Sequence, residues 1–152
     1  MEDKSQEKDY LKNRLEDQIV WYNKKSGINQ KMFKGIQLLL IITAACIPFL
    51  TGYLSTDAMY LRYVVGALGV LVVILTGINN VYKFQENWIA YRTTCESLLH
   101  EKYLYTTSTK PYNGKEPFNL LVQRVELLIS KENSSWAELT KKQGEQSEKN
   151  QN

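Results

Sequence analysis

The 152 residues suit one small domain, since single domains run from about 50 to 250 residues, and argue against two soluble ones. A net charge of +3, without zinc-finger spacing, an RNA-binding aromatic signature or a concentrated basic face, excludes nucleic acid as the leading partner. Two cysteines cannot build a disulfide framework; Cys46 lies in a hydrophobic run and Cys95 in a polar helix, so both are expected to be free thiols.

Residues 3–27 mix charges with Leu11, Leu15, Ile19 and Tyr22, whose spacing of three or four puts them on one face of an amphipathic helix. Gly27 and Asn29 interrupt that pattern. From Gly35 to Thr56 no charge occurs, a length sufficient to cross about 30 Å of hydrocarbon at about 1.5 Å per residue, and the first spanning helix is placed at 35–55. Thr56, Asp57 and Arg62 mark a short turn between antiparallel helices. A second uncharged run, rich in Val, Leu and Ile, fills 63–82 and is closed by Lys83.

A secretory signal is a poor alternative for the first run, because a long polar segment precedes it and the apolar stretch exceeds an ordinary h-region. Ala44-Ala45-Cys46 is only a weak lipoprotein-like site, with Thr43 where an aliphatic residue is favoured. The serious alternative is a pair of core helices in a soluble protein, against which stand two adjacent runs of full spanning length.

Helical pattern continues over 83–105, where Phe84, Trp88, Tyr91, Cys95, Leu98, Lys102 and Tyr105 alternate steps of four and three. Lys110-Pro111-Tyr112-Asn113-Gly114 favours a turn. Phe118, Leu121, Val122, Val125, Leu128 and Ile129 then mark an amphipathic helix placed at 117–140, extending to Trp136, and the 143–152 tail, without aliphatic residues, is expected to be disordered.

The sequence therefore predicts an all-α integral membrane protein, a two-helix transmembrane hairpin with long cytoplasmic helical extensions. Lys24, Lys25, Lys31, Lys34, Lys83 and Arg92 flank its outer ends while the turn carries only Arg62, which puts both termini in the cytoplasm. The same lysines can attract anionic lipid, although their role as topology determinants is the simpler reading.

Little catalytic chemistry is legible. His100 is the only histidine and has no second ligand at metal spacing; no phosphate-cradling glycine loop or nucleophile elbow occurs. The expectation is a non-enzyme without cofactor or metal. The polar residues of the runs are more informative. Gln37, Ile41, Ala44, Pro48, Thr51 and Ser55 share one face of the first, and Gly66, Gly69, Val73, Thr76, Gly77 and Asn80 share one face of the second, with Asn79 beside it. These seams can face each other, with small residues allowing close approach and polar ones bonding across. Alternatively, Gln37, Thr51, Gly69, Thr76 and Asn80 line a water path in an oligomer, since uncharged pores conduct through hydroxyl and amide groups. Pro48 predicts a kink in the first run.

The segment FQENWIAYRTTCESLLHEKYLY, Phe84 to Tyr105, together with QIVWYNKKS, Gln18 to Ser26, resembles the hallmark of the bacterial two-transmembrane domain of unknown function 4231 family, within the SLATT-like superfamily. The resemblance covers Leu11 to about Trp136. It implies membrane modules associated with nucleotide-second-messenger and SLOG-domain defence systems, assembling as a homo-oligomeric pore that permeabilises the inner membrane. It also implies a cytoplasmic sensor or nucleotide-signalling protein as a partner beside the lipid bilayer. The matching Trp21, Tyr22, Trp88, Tyr91, Arg92, Glu96 and Glu101 hold no catalytic arrangement and suit a cytoplasmic assembly collar; Trp21, Tyr22 and Trp88 suit the interface, and Arg92 and Glu96 are four apart, close enough to pair. The competing function is a membrane-anchored module that recruits a cytoplasmic partner without conducting.

Overall fold

The computed structural model describes residues 2–52 and 59–131. Among them the fold is all helical, without strands. Helix α1 (Glu2–Tyr10) passes through a π-helical turn (Leu11–Glu16) into α2 (Asp17–Thr51). Helices α3 (Met59–Tyr82) and α4 (Phe84–Thr106) follow, and α5 occupies 117–131. Two helical stretches, Ser5–Thr51 and Met59–Thr106, are long and apolar enough to cross a membrane. The expected turn of Ser55 to Arg62 is shorter than its sequence suggests, because Met59 to Arg62 already belong to α3; its earlier residues, the approach to Trp136 and the 143–152 tail lie outside the described residues.

The chain forms two compact units. One comprises Met1–Lys25 with Ala90–Asn152, the other Ser26–Ile89. The first has a core of Leu15, Tyr22, Cys95, Leu98, Tyr112, Leu121, Val125 and Ile129, which joins the N-terminal helix, α4 and α5. The expected face of α5 is the one that packs. The turn before it does more than reverse the chain: Tyr112 N–H donates to the Thr109 carbonyl at 2.8 Å, and the Tyr112 side chain is buried in that core.

The interruption expected at Gly27 and Asn29 does not occur, because α2 runs through both. A glycine inside a helix costs only about 1 kcal/mol relative to alanine, and packing overrides it. The packing is periodic. Leu15, Tyr22, Asn29, Ile36, Thr43 and Leu50 recur every seventh position, with Ile19, Ser26, Phe33, Leu40 and Ile47 between them, and all are buried or half-buried. A repeat of 3.5 residues is the signature of helices packed lengthwise. The π-helical turn sits at its upstream end, where Leu15 is fully buried and Tyr10 and Arg14 both reach Glu126 of α5.

The stripe expected along α4 is also the covered one: Phe84, Trp88, Tyr91, Cys95, Leu98, Lys102 and Tyr105 are all buried or half-buried. In α3 the less exposed positions are Leu61, Val65, Leu68, Val72, Leu75 and Asn79, with Gly69 beside them. These two stripes are out of register. Continuing the α3 repeat would cover Tyr82 and Ile89, which are instead exposed. The break between the helices absorbs the mismatch: Lys83 adopts φ 47°, a left-handed conformation that costs a non-glycine residue about 1–2 kcal/mol. The Asn87 amide closes the break by donating to the Tyr82 carbonyl at 3.0 Å.

Candidate functional site

In the unit formed by Ser26–Ile89, Ile36 and Thr43 of α2 are buried and Gln37, Leu40, Cys46, Ile47 and Leu50 half-buried, while on α3 Leu61, Val65, Leu68, Gly69, Val72, Leu75 and Asn79 are half-buried. Most of the seams expected from sequence lie elsewhere. Ile41, Ala44, Pro48 and Thr51 are exposed, as are Gly66, Val73, Thr76, Gly77 and Asn80; Gln37 and Gly69 are half-buried. A Cβ built on Gly66, Gly69 or Gly77 meets no atom within 4 Å, so these glycines are not where the two helices approach each other. The two seams therefore do not face each other. The reason is that a helix apolar all round carries no hydrophobic label for its covered side.

Hydroxyls on both helices are satisfied locally. Thr43 donates to the Leu39 carbonyl at 2.7 Å, Thr76 to Val72 at 2.8 Å and Thr51 to Pro48 at 2.9 Å. The last bond uses the carbonyl of the proline residue expected to kink the helix, which remains inside α2. The outward faces thus offer hydroxyl oxygens with spare acceptor capacity, two side-chain amides and a run of small residues.

At the polar end of the same unit, Trp88 stacks on Phe33 with ring centroids 6.4 Å apart, and the Lys34 ammonium lies 5.8 Å from the Trp88 ring. Trp88 thus ties the start of α4 to α2, an interhelical contact expected from its sequence position. Trp88→Ala removes the stack and the cation–π contact, together worth about 1–2 kcal/mol. The melting temperature in detergent is expected to fall by several degrees; an unchanged melting curve and particle size would show that the ring holds nothing together.

The other unit carries the remaining candidates. Trp21, Tyr22 and Tyr91 form one aromatic cluster, with centroid separations of 4.9 Å for Trp21–Tyr22 and 5.8 Å for Trp21–Tyr91. Arg92 and Glu96 form the expected ion pair on the exposed face of α4. The Cys95 thiol is buried, donates to the Ile19 carbonyl, and is pushed upward in pKa by that burial; Cys46 is half-buried, and both are free thiols.

Glu101, expected in a cytoplasmic assembly collar, lies inside its own unit. It is 5% exposed, and both carboxylate oxygens are occupied. Oε2 accepts from the Tyr112 hydroxyl and from Arg124 Nε at 2.9 Å, and Oε1 accepts from Arg124 Nη2 at 2.7 Å. Desolvation pushes the carboxyl upward, but the hydrogen bonds from Arg124 and Tyr112 and the Arg124 charge together outweigh it and hold the group below the usual carboxylate range. Burial and the Glu101 bond push Tyr112 upward, so its hydroxyl remains a donor. This fork joins α4, the turn and α5. A second one joins the N-terminal helix to α5, where Glu126 accepts from Arg14 at 2.9 and 3.0 Å and from Tyr10 at 3.1 Å. Lys102 pairs with Glu16 at 2.7 Å. Sequence reasoning missed Arg124, Tyr112, Glu126, Arg14 and Tyr10; the one available hint was an aromatic residue inside a Pro-Tyr-Asn-Gly turn.

With three hydrogen bonds accepted, Glu101 locks three elements together. No group of three metal-ligating side chains occurs among the described residues. A recess of about 740 Å³ runs along α4, lined by Arg92, Thr93, Glu96, Ser97, His100 and Tyr103 among others. No curated protein and no solved structure matches the chain. Residues 17–118, from the start of α2 into α5, match the family described as "Protein of unknown function (DUF4231)". That match covers more than half of the sequence, and the chain accordingly belongs to the DUF4231 family of proteins of unknown function.

Proposed function

We propose that this is an oligomeric membrane protein of the SLATT type, a pore-forming or membrane-permeabilising effector of a bacterial conflict system. Its hairpin spans the cytoplasmic membrane with both termini in the cytoplasm. The observation that carries this reading is the outward placement of Thr51, Thr76 and Asn80 on the two apolar helices, where all three are exposed. Amides facing lipid are costly, because hydrocarbon supplies no hydrogen-bonding partner. A second copy or a column of water removes that cost. A single hairpin cannot enclose a channel, so conduction requires several copies. The defence role rests on the family resemblance, and the orientation on the lysines at the open end of the hairpin.

A recruiting module is the second reading. The unit containing Glu101 has its own core and a recess along α4 with both polar and apolar lining, features that suit a docking partner.

Orientation is tested with an impermeant thiol reagent. A cysteine introduced at Ser55 or Thr56 is expected to react from outside, and one at Ser147 only after permeabilisation. Cys46 lies within the apolar stretch and Cys95 is buried, so neither should interfere. Reversed labelling would overturn the topology. Imaging in nanodiscs for subunit number and a central opening, with ion flux from liposomes, separates the functions: a strict monomer, or an assembly that passes no ions with its trigger supplied, favours the recruiting module.

A further inference from the structure

The mismatch between the α3 and α4 stripes has a local product. Because Lys83 turns the chain out of helical register, α3 ends and α4 begins at one place. The backbone stays bonded across the break, Lys83 N–H donating to the Asn79 carbonyl and Asn87 N–H to the Lys83 carbonyl, each at 3.0 Å. A recess of about 340 Å³ opens there, lined by Asn79, Asn80, Lys83, Gln85 and Glu86. At about 30 Å³ per water, it is on the order of ten waters in size. Its polar equipment has both signs. Lys83 and Glu86 face each other at 3.3 Å, neither fully enclosed, so each can share its partner with a ligand. Asn79 contributes an amide whose Oδ1 is buried without a hydrogen-bond donor, an omission that costs about as much as a lost hydrogen bond.

We propose that this recess binds the headgroup of an aminophospholipid, a phosphoethanolamine. The inference rests on the membrane-spanning reading above, which sets the end of α3 at the lipid–water boundary. The Lys83 ammonium suits the phosphodiester. The headgroup ammonium, with three N–H donors, suits Glu86 and the amide oxygen of Asn79. A purely anionic headgroup would leave Glu86 opposed to like charge, and a quaternary choline has no N–H to donate. The chemistry selects a headgroup with an anion and a primary ammonium.

The full chain is reconstituted in nanodiscs with equal mole fractions of phosphatidylethanolamine, phosphatidylcholine and phosphatidylglycerol sharing the same acyl chains. Lipid retained on the protein after detergent exchange is measured by native mass spectrometry. Phosphatidylethanolamine is expected to be retained several-fold over the other two. Glu86→Gln, and Lys83→Asn, chosen because asparagine tolerates positive φ, should each reduce that preference by about three- to tenfold, the range expected for losing one charge-assisted contact. Helicity and particle size, read on the same samples, establish that the variants remain folded. Equal retention of phosphatidylcholine, preferential retention of phosphatidylglycerol, or a preference unchanged in both variants would overturn the site. Failure of the chain to enter the bilayer would overturn the membrane reading and the site together, whereas entry without headgroup preference overturns the site alone.

Discussion

Glu101→Ala is expected to destabilise the unit that contains it by about 3 kcal/mol, the low end of the range for removing one member of a buried ion pair. The low end applies because the Arg124 side chain is 45% exposed and can turn to water, whereas the Tyr112 hydroxyl, buried in the core, loses its acceptor outright. Tyr112→Phe removes one bond to a charged group and should cost roughly half as much. Both are read from thermal unfolding followed in the near-ultraviolet, where Trp21, Tyr22 and Tyr91 report on the same unit. The pH dependence has a definite sign. The Glu101 and Glu126 carboxyls are both held below their ordinary range, so the stability they contribute is fully present above that range. It is lost as pH falls through their lowered folded-state values, because the unfolded chain then binds more protons. Wild type should weaken on acidification, and Glu101→Gln should flatten the acid limb. Equal melting temperatures for wild type and Glu101→Ala at neutral pH would mean that the fork is ornamental.

Leucine at both Thr76 and Asn80 is expected to cut ion flux per assembled oligomer by about tenfold, if the outward face of α3 borders water. The estimate corresponds to one or two lost hydrogen bonds to permeating water, about 1.4 kcal/mol on the barrier, with dewetting acting in the same direction. Assembly should change little, because hydrogen bonds between membrane helices average near 0.6 kcal/mol. Thr76 moreover already spends its hydroxyl proton on the Val72 carbonyl. Flux and the fraction assembled are measured on the same liposomes. Loss of assembly with unchanged flux per remaining oligomer would assign the pair to helix contacts. No flux from the unmodified oligomer under its trigger would leave the recruiting module as the better function.

The sequence by itself determined the features that depend on local pattern. Two uncharged runs marked α3 and the apolar half of α2; steps of four and three from Phe84 to Tyr105 marked the covered side of α4; Pro111 and Asn113-Gly114 marked the turn; and Leu121, Val125 and Ile129 marked the buried face of α5. Periodicity reveals a covered face when one side of a helix is polar and the other is not.

Only the tertiary structure decided the rest. The left-handed residue at Lys83 follows from a phase difference between two helices, and the continuity of α2 through Gly27 from the repeat between Leu15 and Leu50. Glu101 finds Arg124 at a distance of 23 residues and Arg14 finds Glu126 at 112, separations over which composition carries no pairing information. The seams of α2 and α3 were displaced for a different reason. Where both faces of a helix are apolar, burial between protein helices and exposure to an apolar surrounding select the same side chains, so which face is covered depends on the fit of neighbouring side chains rather than on hydrophobicity.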